Sequence, residues 1–239
     1  MTASLLLHLH GPLQSWGSRS RFDERDTESA PTKSGLVGLL ASALGRARLS
    51  DVTDLASLRT TIRYDRPGQR IRDYHTVGAA YPKAQQIRNA EGKPRGDVPV
   101  VTNRFYLADA AFTVAFTGDD RLIEQLNHAV RHPRWPLSLG RRSCPPAEPF
   151  ILGILHADPI DALSSVIPIN RNTRHAGPVQ FIADDPTGDY RPVRDLPTGT
   201  VGHWATYTTR PTKQWSITPD IGLFTKDPFA LCLPNETTP

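Results

Sequence analysis

The sequence contains few of the residues from which metal sites, disulfide frameworks and membrane spans are built. Its 239 residues include only two cysteines, Cys144 and Cys232, which are far apart and outside any metal-ligand spacing. No stretch approaches the roughly 20 apolar residues that a membrane helix requires. The apolar opening, Leu5 to Leu9, is too short for a signal peptide. These absences predict a protein of the reducing cytoplasm, with no metal, no cofactor and no membrane contact.

The positive charge of the chain is concentrated in one stretch. The formal net charge is +4 and the pI is near 9.3. Residues 70–104 contain seven basic and three acidic residues, and the difference equals the charge of the whole chain. The basic residues are Arg70, Arg72, Lys83, Arg88, Lys93, Arg95 and Arg104, and the acids are Asp73, Glu91 and Asp97. A local positive field of this kind favours a polyanionic partner such as a nucleic acid.

The order of the elements that the patterns predict indicates an α+β fold. The elements are a strand at Ser4–His10, a helix capped by Thr32 and Gly45, a strand at Arg59–Arg66, a strand at Phe105–Phe116, a helix from Asp119 to before Pro133, and a strand at Phe150–His156. This βαββαβ order is the ferredoxin-like arrangement of RRM-like domains. We therefore expect a ferredoxin-like palm over residues 1–156 and a β-rich C-terminal extension over residues 157–239.

The basic stretch interrupts this palm between its second and third strands. Its periodicity is poor and its turn formers are many, so we interpret residues 70–104 as an inserted arm, at most a loose hairpin. About 30 residues without structure are unusual in a compact domain and are commonly functional. A solvated loop is the alternative. We expect a protruding basic thumb.

Two short motifs have the composition of phosphate sites. Pro31-Thr32-Lys33-Ser34-Gly35 opens the first predicted helix, where free backbone N–H groups beside Lys33 and Ser34 suit a phosphate. The order of a nucleotide-binding P-loop is missing. Gly140-Arg141-Arg142-Ser143-Cys144-Pro145 is a tight turn whose Arg141 and Arg142 suit a phosphate or a stacked base. A capped helix start and a solvated loop are the respective alternatives.

Two further segments carry residue types that bind or cleave RNA. After the first strand, Trp16 has the ring to stack on a base and Gln14 the amide to bond a base edge; a packing tryptophan in a turn is the alternative. At the root of the arm, Tyr74 and His75, with Lys83, are the types that cleave RNA without a metal. Because adjacent residues of a strand point to opposite faces, Tyr74 and His75 are not expected to act together in catalysis, and we assign no catalytic residue. We expect both residues to bind RNA.

Five of these stretches, in this order and at these intervals, resemble one family. They are GPLQSWG, PTKSGLVGLLASALG, RDYHTV, NRFYLADAAFTVAF and LGRRSCP. The chain resembles the CasD-type subunits of the type I-E CRISPR complex Cascade, within the RAMP superfamily. The resemblance covers Ser4 to about His156 closely and the C-terminal third loosely.

The resemblance implies a non-catalytic RNA-binding subunit that acts in antiviral defence. Such subunits cap the 5′ handle of the CRISPR RNA, contact the backbone subunit and the large subunit that reads the PAM, and meet target DNA only indirectly. We expect phosphate contacts from Lys33, Ser34, Arg141 and Arg142, base contacts from Gln14, Trp16, Tyr74 and His75, and an anchor at Arg104. A metal-independent endoribonuclease that processes precursor CRISPR RNA is the main alternative, and an assembly adaptor that contacts only protein is the third.

Overall fold

The computed structural model of the chain describes residues 2–18, 23–78, 81–89, 91–96, 98–185, 191–201 and 204–234. Its strands are β1 (Thr2–His10), β2 (Leu13–Gln14), β3 (Glu24–Arg25), β4 (Arg59–Arg66), β5 (Gln69–Val77), β6 (Val100–Ala108), β7 (Ala111–Asp119), β8 (Ile151–Leu155), β9 (Ile169–Asn170), β10 (Val179–Asp184), β11 (Arg191–Val201), β12 (Trp204–Ile217) and β13 (Phe224–Thr225). Its helices are α1 (Lys33–Leu44), α2 (Thr53–Ser57), α3 (Asp120–Arg131) and α4 (Pro159–Ser165). The fold is a mixed one with a large antiparallel sheet and few helices, as the sequence predicts.

A seven-stranded sheet organises the molecule, in the order β11-β12-β10-β4-β7-β1-β8. Neighbouring strands are antiparallel throughout, with β1 between β7 and β8, and β7 between β1 and β4. Beyond β4 the sheet continues into the C-terminal third, because β10 pairs with β4 and then with β12. In this third β12 is a single strand of 14 residues, consistent with the predicted β-rich extension.

Alternation along the strands gives the sheet two buried faces. Leu5, Leu7 and Leu9 of β1 lie on the face that packs against α1 and α3. Phe112, Val114 and Phe116 of β7, whose alternation in the sequence predicts a shared face, lie on this one. Leu6, between them in β1, packs in a second cluster with residues of α4 and the C-terminal segments. Both faces of the central strands are therefore covered.

The two long helices begin and end where their caps predict. The Thr32 side chain accepts a hydrogen bond from the backbone N–H of Gly35, and Gly45 adopts a φ of 73° at the C-terminal end of α1. The Asp119 side chain caps α3 by accepting a hydrogen bond from the backbone of Arg121. In the described part of the chain, no helix is long and apolar enough to cross a membrane.

The predicted strand at Phe105–Phe116 is wrong, because this segment forms two strands in different sheets. β6 and β7 meet at a turn in which Asp109 has a φ of 53°, a conformation that aspartate tolerates better than most residues. β6 lies outside the main sheet and pairs antiparallel with β5 along all nine residues, from Gln69 opposite Ala108 to Val77 opposite Val100. The inserted arm thus has an ordered β-hairpin as its stem, and we call β5 and β6 the hairpin.

Candidate RNA-binding surface

Three of the segments singled out in the sequence meet at the base of the hairpin. The backbone N–H of Ser15 donates to the carbonyl of Leu139 at 3.0 Å, and the Ser15 hydroxyl donates to the carbonyl of Phe105 in β6 at 3.1 Å. Gly140, at a φ of 88°, lies so close to Ser15 that a Cβ would stand 1.8 Å from its carbonyl oxygen. Glycine is therefore required where the arginine-bearing turn meets the segment after β1.

Arg141 ties this turn to the hairpin. Its guanidinium donates to the carbonyls of Phe105 at 3.2 Å, Arg25 at 2.7 Å and Asp26 at 3.1 Å. The same group lies 4.8 Å from the centre of the Tyr106 ring, a cation–π contact. Arg141 thus brings a positive charge to the base of the hairpin while its donors hold backbone carbonyls. Arg142, next to it, is exposed.

One face of the hairpin carries two of the predicted residues. The register places Asp73 opposite Arg104 and His75 opposite Thr102, so these four side chains lie on one face. Arg104 Nε donates to the Thr102 hydroxyl at 3.1 Å, and His75 Nδ1 lies 3.4 Å from an Asp73 carboxylate oxygen. Arg104 and Tyr106, two residues apart in β6, also share this face. The Tyr106 ring, which Arg141 contacts, therefore lies on the face of the hairpin that carries Arg104.

The opposite face of the hairpin is basic and aromatic. Arg70, Arg72 and Tyr74 alternate along β5, and all three are exposed, Tyr74 to 63%. The guanidinium of Arg70 lies 4.4 Å from the centre of the Phe105 ring. An exposed strand with two arginines and a tyrosine on one face is suited to backbone phosphates and stacked bases. Arg70 and Arg72 are thus candidate RNA-binding residues. They were not among the predicted site residues, although their two-residue spacing is visible in the sequence.

Gln14 and Trp16 do not face this surface, which corrects their predicted contacts with bases. The Gln14 amide nitrogen donates to the carbonyls of Leu9 and Ala110, both at 2.9 Å, and its side-chain oxygen accepts from the Trp16 indole at 2.9 Å. Gln14 is 0% exposed and Trp16 is 1% exposed. These side chains position the segment after β1 against the start of β7 and leave no ring or amide for RNA.

Lys33 is likewise corrected, because its predicted phosphate cradle is filled by the protein. The Asp195 carboxylate accepts from the backbone N–H of Lys33 at 2.7 Å, where an anion would bind the helix N-terminus. Lys33 is 1% exposed, and its ammonium pairs with Asp184 at 2.9 Å. Burial lowers the pKa of Lys33, and the neighbouring Asp184 opposes that shift. The half-buried Ser34 hydroxyl lies 3.3 Å from that of Thr32.

The ion cluster around Lys33 joins α1 to the C-terminal strands. Arg210 of β12 donates to Asp184 and, at 2.6 Å, to Asp195. Burial alone would raise the pKa of Asp184, but the charges of Lys33 and Arg210 hold it below its usual value. Lys33 therefore belongs to a structural ion cluster with Asp184, Asp195 and Arg210.

The described side chains of the possible RNA-cleaving trio do not converge on one site. Tyr74 and His75 are adjacent in β5 and point to opposite faces of the hairpin. The side chain of Lys83, the third predicted member, lies outside the described part of the structure. Among the residues that the structure describes, no group of three or more histidine, cysteine, aspartate or glutamate side chains is placed to hold a metal ion.

The chain is similar to proteins of the CRISPR systems. Residues 4–201 match a family model described as CRISPR-associated protein (Cas_Cas5). The CRISPR system Cascade subunit CasD of Escherichia coli (strain K12) is 36% identical over 185 residues, which is 71% of this chain and 79% of that protein.

Solved structures show the same likeness across nearly the whole chain. A chain from a structure described as a CRISPR RNA-guided surveillance complex superposes with a TM-score of 0.83 at 33% identity, over 95% of each chain. A structure described as a Cas protein superposes with a TM-score of 0.69 at 35% identity, over 91% of this chain and 96% of the other.

Proposed function

The chain belongs to the Cas5 family of CRISPR-associated proteins, and on that premise we propose that it is a non-catalytic, guide-binding subunit of a Cascade-type surveillance complex. It holds the 5′ handle of the CRISPR RNA, contacts the backbone subunit and the large PAM-reading subunit, and meets target DNA only through the assembled complex. It acts in antiviral defence, in the cytoplasm. The observation that carries this proposal is the hairpin, with Arg70, Arg72 and Tyr74 exposed on one face, Arg104 on the other, and Arg141 against the Tyr106 ring near its base.

The strand order supports a ferredoxin-like palm. β8, β1, β7 and β4 lie in this order with antiparallel neighbours, and α1 and α3 connect β1 to β4 and β7 to β8. A split βαβ unit, repeated twice, has this arrangement. The hairpin is then the thumb, inserted between β4 and β7. The β-rich extension begins after β8 and continues the palm's sheet.

Closure of the sheet supports the thumb as the RNA-binding element. RRM-like domains stack bases on an open sheet face. Here that face is covered by α4 and the C-terminal segments, and Arg63 at its centre donates to the carbonyls of Leu163 and Ile167, both at 2.7 Å. An RNA strand finds its exposed basic and aromatic groups on the hairpin instead.

Salt dependence of RNA affinity tests the phosphate contacts. A complex that contacts about six phosphates of a single strand has a log–log slope of affinity against salt of roughly −4, from about −0.7 per phosphate. Replacing Arg70, Arg72 and Arg142 with alanine removes three exposed cations, and we expect the slope to become shallower by about 2 units. Fluorescence anisotropy with a labelled handle RNA over a sodium chloride series gives the slope.

Arg121→Ala is the matched control for this measurement, because Arg121 is exposed on α3 and away from the hairpin. It should leave the slope unchanged. A slope near zero in the unmodified protein, or one that the triple replacement does not alter, would remove the electrostatic basis of the proposal and favour an adaptor that contacts only protein.

Incubation with precursor CRISPR RNA in EDTA separates the proposed subunit from an endoribonuclease. Because Tyr74 and His75 face opposite ways, we expect the RNA to remain intact and to be recovered in a stable complex. Cleavage that disappears in His75→Ala and persists in His175→Ala, a replacement of an exposed histidine far along the chain, would establish the enzyme instead. Denaturing gel electrophoresis of the RNA reads both outcomes.

A further inference from the structure

Two histidines lie one turn apart at the C-terminal end of α3. His128 belongs to the last turn of the helix, and His132 is the residue that caps it. Both side chains are exposed. Residues four apart lie on the same face of a helix, with Cβ atoms about 5–6 Å apart, so the two rings are neighbours on the surface. This histidine pair lies outside the surface assigned to RNA, and it was not predicted as a site, although its spacing is visible in the sequence.

The spacing of the two rings suits a shared metal ion. The ring centres of His128 and His132 are 4.8 Å apart, and the ring planes are tilted by 34°. Two imidazoles that bind one ion through nitrogens at about 2.0–2.1 Å have ring centres roughly 4.5–5.2 Å apart, for coordination angles between a right angle and the tetrahedral angle. The observed distance lies within this range. The pair therefore needs little rearrangement to supply two ligands to one ion.

A hydrogen bond prepares His132 to act as a ligand. Its Nδ1 atom lies 3.3 Å from the backbone carbonyl oxygen of His128. Because a carbonyl oxygen only accepts, this contact places the ring proton on Nδ1 and leaves the lone pair on Nε2. Histidines that bind metals are held in the same way, since donation from the second ring nitrogen to a carbonyl fixes the tautomer and the orientation of the ring. The Nε2 atom of His132 is therefore the ligand atom.

The charges around the pair are mixed. The last carbonyls of α3 carry the negative end of the helix dipole, which favours a cation. Glu124 lies one turn before His128 and is exposed, so its carboxylate stands on the same face of the helix. Arg131 and Arg134 act against a cation, and Arg131 Nε donates to the side-chain oxygen of Asn127 at 3.3 Å. The imidazole nitrogens, rather than the local field, therefore supply the attraction for an ion.

The residues between the histidines point to binding without hydrolysis. The run His128-Ala129-Val130-Arg131-His132 has the histidine spacing of the HExxH motif, in which two histidines one turn apart bind zinc. Buried Ala129 stands where that motif has the glutamate that serves as general base. In the part of the chain that the structure describes, no third histidine, cysteine, aspartate or glutamate completes a group around an ion. Water would fill the remaining coordination positions, so binding should be exchangeable.

We propose that His128 and His132 form a two-ligand site for one divalent transition-metal ion of the class of Zn²⁺, Ni²⁺ and Cu²⁺. Imidazole suits these ions, whereas Mg²⁺ and Ca²⁺ prefer oxygen ligands. The site is separate from RNA binding, so this inference and the proposed function are tested independently. The competing interpretation is a pair of exposed histidines that only complements the negative end of the helix.

Isothermal titration calorimetry of the full chain with zinc chloride and with copper(II) chloride measures the site, on protein without a histidine tag. We expect one ion per chain, with Cu²⁺ bound more tightly than Zn²⁺ and with no binding of Mg²⁺. His132→Ala should weaken binding at least about tenfold, because the second imidazole binds intramolecularly, at an effective concentration of millimolar or more. Zn²⁺ should also raise the thermal midpoint of the unmodified protein more than that of His132→Ala.

The double replacement Asn127→His/His128→Ala is the matched control. It keeps the number of histidines but moves one imidazole by about 100° around the helix, so it should bind ions as weakly as His132→Ala. His175→Ala, at an exposed site elsewhere, should bind like the unmodified protein. Thermal midpoints without metal show whether each variant is folded. If the double replacement unfolds, His128→Ala alone provides the same comparison, since alanine is the strongest helix former at an exposed position.

Three results would overturn the inference. The first is binding of Zn²⁺ and Cu²⁺ by the unmodified protein that is no tighter than binding by His132→Ala. The second is unchanged affinity in Asn127→His/His128→Ala, which would show that separate imidazoles suffice. The third is loss of binding in His175→Ala, which would place the ion elsewhere in the chain. Each of these results leaves the proposed function standing, because the salt series with RNA measures a different surface.

Discussion

Replacing Asp65 with asparagine is expected to destabilise the protein by about 3–5 kcal/mol, because it leaves a buried arginine without its counter-charge. Arg63 and Asp65 are both 0% exposed, and Arg63 Nε donates to Asp65 at 2.7 Å. Asp65 also accepts from the Thr113 hydroxyl at 2.8 Å and from the backbone N–H of Asn170 at 3.3 Å. Asparagine preserves the shape but not the charge. Urea unfolding followed by circular dichroism gives the free-energy difference.

Asp109→Asn is the matched control, because Asp109 pairs with Arg66 at 3.2 Å while its own side chain is 84% exposed. Exposed pairs contribute less than about 1 kcal/mol, so this variant should unfold at nearly the same urea concentration as the unmodified protein. A loss in Asp65→Asn no larger than that of the control would show that the buried pair contributes little, and it would weaken the account of what closes the sheet.

The buried pair bears on the proposed function because it helps to close the sheet face on which RRM-like domains bind RNA. Besides Asp65, the Arg63 guanidinium engages carbonyls of α4 and of the segment after it. These bonds attach the C-terminal layer to the sheet face that RRM-like domains leave open. Arg63→Met would leave those carbonyls without their donor, so it too should be destabilising. The same fold thus closes the sheet face and leaves the hairpin exposed.

Sequence patterns predicted those features of the fold that depend on residues close together in the chain. The cap at Thr32, the glycine at position 45 and the alternation of Phe112, Val114 and Phe116 each depend on neighbours within a few residues, and each is confirmed. The division of Phe105–Phe116 into two strands was missed because the turn at Asp109 interrupts an apolar run that reads continuously. Turn chemistry, rather than periodicity, decides that boundary.

Whether the surroundings of a predicted site residue could be recognised from the sequence depends on how far along the chain its partners lie. A lysine at a helix start is chemically suited to a phosphate or to a carboxylate, and the carboxylates that engage Lys33 come from Asp195 and Asp184, which lie 162 and 151 positions away. No local pattern can reveal such a partner. Trp16 is similar, since its ring packs closely against Gly35 of α1. The alternation of Arg70, Arg72 and Tyr74, by contrast, is local and was open to prediction.

Acidification is expected to destabilise the fold through His8. This residue is 0% exposed in β1, and within the described part of the structure neither ring nitrogen has a hydrogen-bond partner. Burial lowers the pKa of His8 from 6.5 to about 3, although the carboxylate of Asp65, 3.9 Å away, opposes that shift. The stacked ring of His10 and the charges of Arg63 and Arg66 lower the pKa of His8 further.

The direction of this pH dependence follows from which state of the protein, folded or unfolded, binds the proton on His8. Below pH 6.5 the unfolded chain protonates His8 and the folded protein does not, so stability is complete above that pH and decreases as the pH falls towards 3. At 1.36 kcal/mol per pH unit, the loss is about 2 kcal/mol by pH 5 and about 5 kcal/mol by pH 3. Urea unfolding at a series of pH values between 7.5 and 4 measures it.

His8→Leu isolates this contribution, because leucine has no proton to bind. Asp65, whose pKa the charge of Arg63 holds low against the effect of burial, remains in both proteins, although the charge of His8 also lowers the Asp65 pKa. The difference between the two profiles therefore belongs to His8 and its interaction with Asp65. We expect the variant's stability to depend less steeply on pH, whereas His175→Leu, at an exposed site, should follow the unmodified protein. Parallel profiles for the unmodified protein and His8→Leu would mean that His8 accepts a proton in the folded state, and that the core beneath the C-terminal layer is open to water.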